Sequence, residues 1–294
     1  MLRKCYRVAG HRFAVEMPEG FPLWEAMGQY TPFEVEDGAS VFTLELVRSL
    51  QAPATAPVYA GAENPDEPLV RLYREENGWF FEVAPCAAAP VCGQVRSNLS
   101  FTQASFCLCR EGHDALFALN NALMLLFAFR TASEGTLELH ASVVRCRDRA
   151  FLFLAPSGTG KSTHSSLWLK HIPGSSLLND DNPVVRLRPD GGVEVYGSPW
   201  SGKTPCYKNE HVPLGAFVQI RRAAENRIHP LSLFESYALL YSSSSGFKSD
   251  PQMADNLHTT FERVLASARC FTLECRPDEE AARVCAAAVL EGLR

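Results

Sequence analysis

Segments of apolar and β-branched residues, cut by short polar turns, run through the first third of the chain. HRFAVEMP (11–18), SVFTLELV (40–47), PLVRLYREENGWFFEVAP (68–85) and QASFCLCRE (103–111) have strand composition, and Gly, Pro and Asp cluster between them. The Pro/Ala-rich stretch QAPATAPVYAGAENPDEP (51–68) reads as an exposed loop. This part carries no catalytic constellation, and its His11 and scattered acids read as surface residues. The pattern changes at DALFALNNALMLLFAFR (114–130), whose apolar run is too short to span a bilayer and is broken by Asn120 and Asn121. A buried helix is predicted.

Beyond it strands and helices alternate, as in α/β folds. TLELHASVVRC and RAFLFLAP read as strands, a helix starts at Gly160, and SSLLNDD returns as a strand. VVRLRP and VEVYGSP form a hairpin around DGG, GAFVQIRR and CFTLEC are strands, and DEEAARVCAAAVLEGL is a helix with Asp278 as N-cap after Pro277. SSSSGFKSDPQ (242–252) reads as a mobile loop. The predicted organisation is a β-rich N-terminal domain over 1–105 and an α/β domain over 106–294.

Composition narrows the partners. With 46% apolar and 21% charged residues the chain is that of a globular protein, and a net charge of -5 argues against nucleic acid and anionic membranes. None of the ten cysteines falls in a C-x-x-C or zinc-type spacing, so buried free thiols in a reducing cytosol are expected. The polar start MLRKCYRVAGHRF has no cleavable-signal pattern, and a cytoplasmic location follows.

The chemistry concentrates in FLFLAPSGTGKST (151–163). Ala155, Ser157, Gly158, Thr159, Gly160, Lys161, Ser162 and Thr163 form a relaxed phosphate-loop pattern, with Ala155 in place of the usual first Gly. An apolar run that suits a strand buried on both faces precedes it, and KSTHSSLWLKHIPG follows with about three helical turns before Pro173 and Gly174. Gly158 and Gly160 let backbone amides turn around phosphate oxygens at a helix N-terminus, Lys161 neutralises β- and γ-phosphate charge, and Ser162 suits Mg²⁺. Asp180 and Asp181, in SSLLNDDN, stand nineteen and twenty residues beyond Lys161. A strand parallel to the loop strand and next to it would bring both to the same sheet edge, one carboxylate for metal and one for a proton.

The order LHASVV, FLFLAPSGTGKST, LLNDDN resembles the C-terminal catalytic domain of HPr kinase/phosphorylase and its serine-kinase-like relatives. The wider architecture is similar to the nucleotide-binding core of ATP-dependent phosphoenolpyruvate carboxykinase. The resemblance implies a P-loop catalytic domain of that kind behind the smaller β-rich one, with ATP and Mg²⁺ as cofactors. It places His140 near the acceptor site and gives the aspartate pair base and metal roles, here Asp180 as base and Asp181, with Ser162, on the metal. Glu138, His140 and Ser142 are expected on one strand face. Where that family carries an acidic, Arg-Gly-containing signature, this chain reads VEVYGSPWSGKTPCYKN. Glu194 either replaces the signature Glu or lies on the hairpin surface.

The loop GSPWSGKTPCYKN (197–209) offers hydroxyls, amides and cations that suit a phosphate or an anionic acceptor. Lys203, ahead of Lys208, is its candidate for stabilising the transferred group, and Trp200 for walling an acceptor pocket. One of Arg221, Arg222 and Arg227 can reach the phosphates as a clamp. These features predict an ATP- and Mg-dependent kinase acting on a serine-type hydroxyl of an unidentified protein, peptide or small molecule. The alternative is a non-catalytic ATP-binding sensor whose N-terminal half binds a partner. Kinases of the resembling kind often assemble as oligomers, which leaves a homo-oligomer open.

Overall fold

The apolar segments of the N-terminal third all become strands in the computed structural model, which describes residues 1–61, 68–202 and 204–291. They are β1 (Leu2–Val8), β2 (His11–Met17), β3 (Glu34–Val35), β4 (Phe42–Leu46), β5 (Tyr59–Gly61), β6 (Leu69–Glu75), β7 (Gly78–Ala84), β8 (Gly93–Asn98) and β9 (Gln103–Leu108). The short helix α1 (Leu23–Ala26) and the long α2 (His113–Thr131) accompany them. The strands form one mixed sheet in the order β3-β1-β2-β4-β9-β8-β7-β6-β5. Of the Pro/Ala-rich stretch, residues 51–60 are largely exposed and 62–67 lie outside the described residues.

Helix α2 packs on this sheet against β4, β7, β8 and β9. Ala115, Ala118, Leu119, Ala122, Leu123, Leu126 and Phe127 are buried, at the helical spacing that makes one continuous apolar stripe. By length and composition Asp114–Glu134 is the one helical run among the described residues able to cross a membrane. The two compact units are Met1–Thr131 and Ala132–Arg294, so α2 belongs to the first, not to the second as a boundary near residue 105 implied. His11 is also not a surface residue: it is 2% exposed and lies edge-on to Phe127, ring centroids 5.8 Å apart.

The second unit contains β10 (Thr136–Glu138), β11 (Ala141–Cys146), β12 (Arg149–Leu154), α3 (Lys161–His171), β13 (Ser176–Asp181), β14 (Val184–Leu187) and β15 (Val193–Tyr196). It continues through β16 (His211–Arg222), β17 (Arg227–Pro230), α4 (Leu233–Ser243), α5 (Pro251–Leu265), β18 (Cys270–Cys275) and α6 (Glu279–Leu290). Strand β16 serves two pairings. Its start pairs antiparallel with β15 in the order β10-β14-β15-β16, and its later residues pair in parallel with β12 and β18. The architecture is therefore mixed α/β, with a large mixed sheet in each unit.

The apolar run before the Gly-rich turn is buried on both faces because β12 is a central strand. Phe151 and Phe153 join Trp168, Val218, Cys285 and Val289 in a core under α3 and α6. Leu152 and Leu154 point the other way, into a core with Leu139, Leu239, Leu257 and Phe261. The hairpin β14–β15 and the cap on α6, where Asp278 accepts the Ala281 amide at 3.0 Å, are as the sequence predicted. Eight of the cysteines are buried, Cys86 is half-buried and Cys109 is exposed, all as free thiols.

Candidate phosphate-binding site

Strand β12 ends at Leu154, the chain turns through 155–160, and α3 starts at Lys161. Gly158 and Gly160 hold φ of 72° and 126°, which side chains disfavour, so glycine is what the turn requires at both. Gly160 caps α3 without any side-chain acceptor, leaving the first-turn amides facing the loop. Lys161 is buried and its Nζ donates to the Ala155 carbonyl at 2.9 Å, folding back across the loop. Ala155 therefore contributes its carbonyl oxygen. Ser157 and Thr159 lie in the turn, and Thr163 in the first turn of α3.

The aspartates arrive by a different route from the one the sequence suggested. Strand β13 is not next to β12. It pairs antiparallel with β11, which pairs antiparallel with β12, so β13 runs in the direction of β12 but one strand away. Register does the rest: Ala141 stands opposite both Leu154 and Asp181, and Ser142 opposite Phe153 and Asp180. Alternation then sends Asp180 to the α3 face, where its Oδ1 accepts from Ser162 Oγ at 2.9 Å. On the same face the Ser142 and Ser165 hydroxyls lie 2.6 Å apart, tying β11 to α3.

Asp181 faces the other way and meets His140, with Nε2 to Oδ1 at 3.3 Å. Its φ of 151° is a strained setting for a residue with a side chain, of the kind that costs ~1–3 kcal/mol and persists only when neighbours fix it. They do. Gly202 N–H donates to the Asp180 carbonyl at 2.6 Å, Ser201 Oγ donates to the same oxygen at 3.2 Å, and Asp181 forms a bridge with Ser201. A Cβ on Gly202 would sit 3.2 Å from Asp181 Cγ, so only glycine fits without displacement.

The loop GSPWSGKTPCYKN is thus bolted along β13. Asn179 Nδ2 donates to Ser198 Oγ at 3.1 Å, and Lys208 Nζ to the Leu177 carbonyl at 2.7 Å. Trp200 is buried at 3% exposure, so it packs this loop. Lys203 lies outside the described residues. Glu194 is 4% exposed and bound by Arg188 at 2.9 Å and His211 at 3.0 Å on the hairpin, apart from the loop. It lines a cleft of about 440 Å³ with Arg149, which starts β12 at the end away from the Gly-rich turn.

The segment LHASVV is not one strand. Glu138 ends β10, which pairs with β14, whereas Ser142 belongs to β11, and His140 sits at the corner between them. That corner is held by 242–252, the segment read as a mobile loop: His140 N–H donates to the Ser243 carbonyl at 2.8 Å and Ser245 N–H to that of Glu138 at 2.9 Å. Glu138 is fully buried, and neither carboxyl oxygen has a hydrogen bond of ordinary geometry. Burial first, and then the charge of Asp181, hold its carboxyl well above the usual range, with Ser245 tempering the effect.

Sequence reasoning gave no role to His164, three residues past Lys161. It is 2% exposed, its Nε2 accepts from Trp168 Nε1 at 3.1 Å, and its ring meets Phe153 edge-on at 4.6 Å. Burial pushes the imidazole down from 6.5 to about 4. Below pH 6.5 the unfolded chain binds a proton that the folded chain refuses, so this residue removes stability as pH falls from 6.5 to about 4. The full loss is about 3 kcal/mol. Denaturant midpoints at pH 7 and pH 4.5 should differ less in His164→Gln than in the wild type; an equal difference would refute the assignment.

Arg222, at the end of β16, settles which arginine reaches the loop. Its Nε donates to the Thr159 carbonyl at 3.0 Å and its Nη2 to that of Gly158. Arg221 instead bonds Gln219 at 3.1 Å, and Arg227 pairs with Glu225. Among the described residues no three His, Cys, Asp or Glu side chains converge as a metal cluster. The chain matches no protein-family model, and no curated protein matches it.

Proposed function

We propose that this protein is an ATP- and Mg²⁺-dependent kinase that transfers the γ-phosphoryl group to a hydroxyl of serine type. The observation that carries the reading is the chain of contacts from the phosphate loop to the aspartate pair: Ser162 on Asp180 at 2.9 Å, and beside it Asp181 on His140 at 3.3 Å. A hydroxyl and a carboxylate, both hard oxygen donors, suit Mg²⁺, so Ser162 and Asp180 are the residues to hold it. When bound, Mg²⁺ neutralises charge on the β- and γ-phosphates.

The roles of the two aspartates are then the reverse of those the resemblance suggested. Asp180 takes the metal side because it already holds Ser162, and Asp181 takes the acceptor side with His140. Asp181 accepts the proton of the attacking hydroxyl, whose oxygen bonds the γ-phosphorus as the bond to the β–γ bridging oxygen breaks and ADP departs. His140 orients the Asp181 carboxylate. Lys161 moves from the Ala155 carbonyl to the phosphates, exchanging one oxygen partner for another. The arrangement supports a catalytic domain similar to that of HPr kinase/phosphorylase and the carboxykinase core, and a compartment with ATP and reduced thiols, the cytoplasm, suits it.

Phosphorus NMR of MgATP with the protein and a host-cell extract tests the reading. A new phosphoester resonance should appear with the wild type and not with Lys161→Ala, and its chemical shift would give the acceptor class. Bound but unconverted ATP across extracts would replace the kinase with the sensor reading.

A further inference from the structure

A glycine-rich turn that carries two positive φ angles has little reason of its own to hold one shape before its ligand arrives. Each residue fixed on binding costs ~1–2 kcal/mol of backbone entropy. Affinity therefore depends on what fixes the loop beforehand. Lys161 contributes by bonding the Ala155 carbonyl, but it must leave that oxygen when it turns to a phosphate. The Thr159 amide makes a 3.3 Å bond to the Pro156 carbonyl, a long and weak one.

Arg222 is different. It comes from another strand, and its fork takes two successive carbonyls of the turn, Gly158 and Thr159. In a trans peptide the C=O and the following N–H point in opposite directions. Holding the Thr159 carbonyl toward Arg222 therefore aims the Gly160 N–H away from it. Strand β16 gives the arginine its reach: Gln219 pairs with Leu154, the last residue of β12, and Arg222 pairs with Cys275 of β18, three residues further along. A guanidinium suits this better than an ammonium, because two donors in a fixed plane grip two acceptors at once.

We propose that Arg222 is a positioning residue that clamps the Gly158–Thr159 segment in its phosphate-receptive shape before nucleotide binds. This rests on the proposed function only for the identity of the ligand. The clamp itself acts in the free protein, through the carbonyls, and Arg222 touches no phosphate.

Two measurements on the full chain test it, with Arg222→Ala and Arg222→Lys beside the wild type. In the free protein, exchange of the Thr159 amide, which donates to the Pro156 carbonyl, should speed up about tenfold in Arg222→Ala, the effect of losing a charged hydrogen bond, and less in Arg222→Lys, which keeps one donor. The melting temperature should stay near that of the wild type, because Arg222 is exposed. In calorimetric titrations, affinity should fall by about the same tenfold factor for MgATP, MgADP and inorganic pyrophosphate. Unchanged exchange in Arg222→Ala would overturn the clamp. So would a loss confined to MgATP, which would make Arg222 a γ-phosphate ligand. If the wild type binds no nucleotide, the kinase reading falls, while the exchange measurement still decides the clamp.

Discussion

Asp181→Asn should bind MgATP with nearly wild-type affinity and yet transfer phosphate about a thousandfold more slowly, in the middle of the range that one proton acceptor contributes. The asparagine keeps the shape and the Ser201 bridge but cannot take the hydroxyl proton. Asp180→Asn should behave differently. There the carboxylate that accepts from Ser162 is lost, so the Mg²⁺ concentration needed for half-maximal turnover should rise. Steady-state rates over a magnesium series separate the two, and the same magnesium dependence in both variants would sink the division of roles between neighbours.

Trp168→Ala should be the most damaging single change to the second unit. The indole is fully buried, lies 5.3 Å from the Phe151 ring and 5.6 Å from that of Phe153, and its N–H is the donor to His164. Truncation removes the packing, leaves a cavity and strips His164 of its partner, for about 3–5 kcal/mol. Trp168→Phe refills most of the volume and should lose less than half of that. Denaturant midpoints read both. A shift under 1 kcal/mol for Trp168→Ala would mean that α3 is not anchored by this core, a threshold set by the ordinary cost of a core truncation.

What the sequence displays about this site is its local part. FLFLA, the Gly-rich turn and the helix after Lys161 are contiguous, so apolar continuity and glycine placement reveal them. The cap at Asp278 and the β14–β15 hairpin are equally local. The partners that complete the site come from far along the chain, and periodicity carries no record of them. Nothing in SSLLNDD tells that β11 separates it from β12, since either neighbour would satisfy an apolar strand. The break at Leu139–His140 is hidden for the same reason: TLELHASVV has strand composition throughout, and its corner is made by bonds to distant residues, His140 N–H to the Ser243 carbonyl and Ser245 N–H to that of Glu138. Arg222 looks like its neighbours Arg221 and Arg227 until β16 is paired with β12. The unit to which helix α2 belongs is equally hidden, because its apolar stripe says that it packs, not on what.

Strand β11 acts as the ruler of the site. Its residues face Leu154 on one side and Asp181 on the other, its Ser142 is tied to α3, and the corner at its start carries His140. One register thus sets three spacings at once: loop to aspartates, aspartates to histidine, and strand to helix. A single-residue deletion within Ala141–Val143 would turn Ser142 from α3 and draw His140 out of line with Asp181 in the same stroke. A substitution here that keeps the length disturbs at most its own contact, as at Ser142 with Ser165, whereas a change of length dismantles all three spacings together.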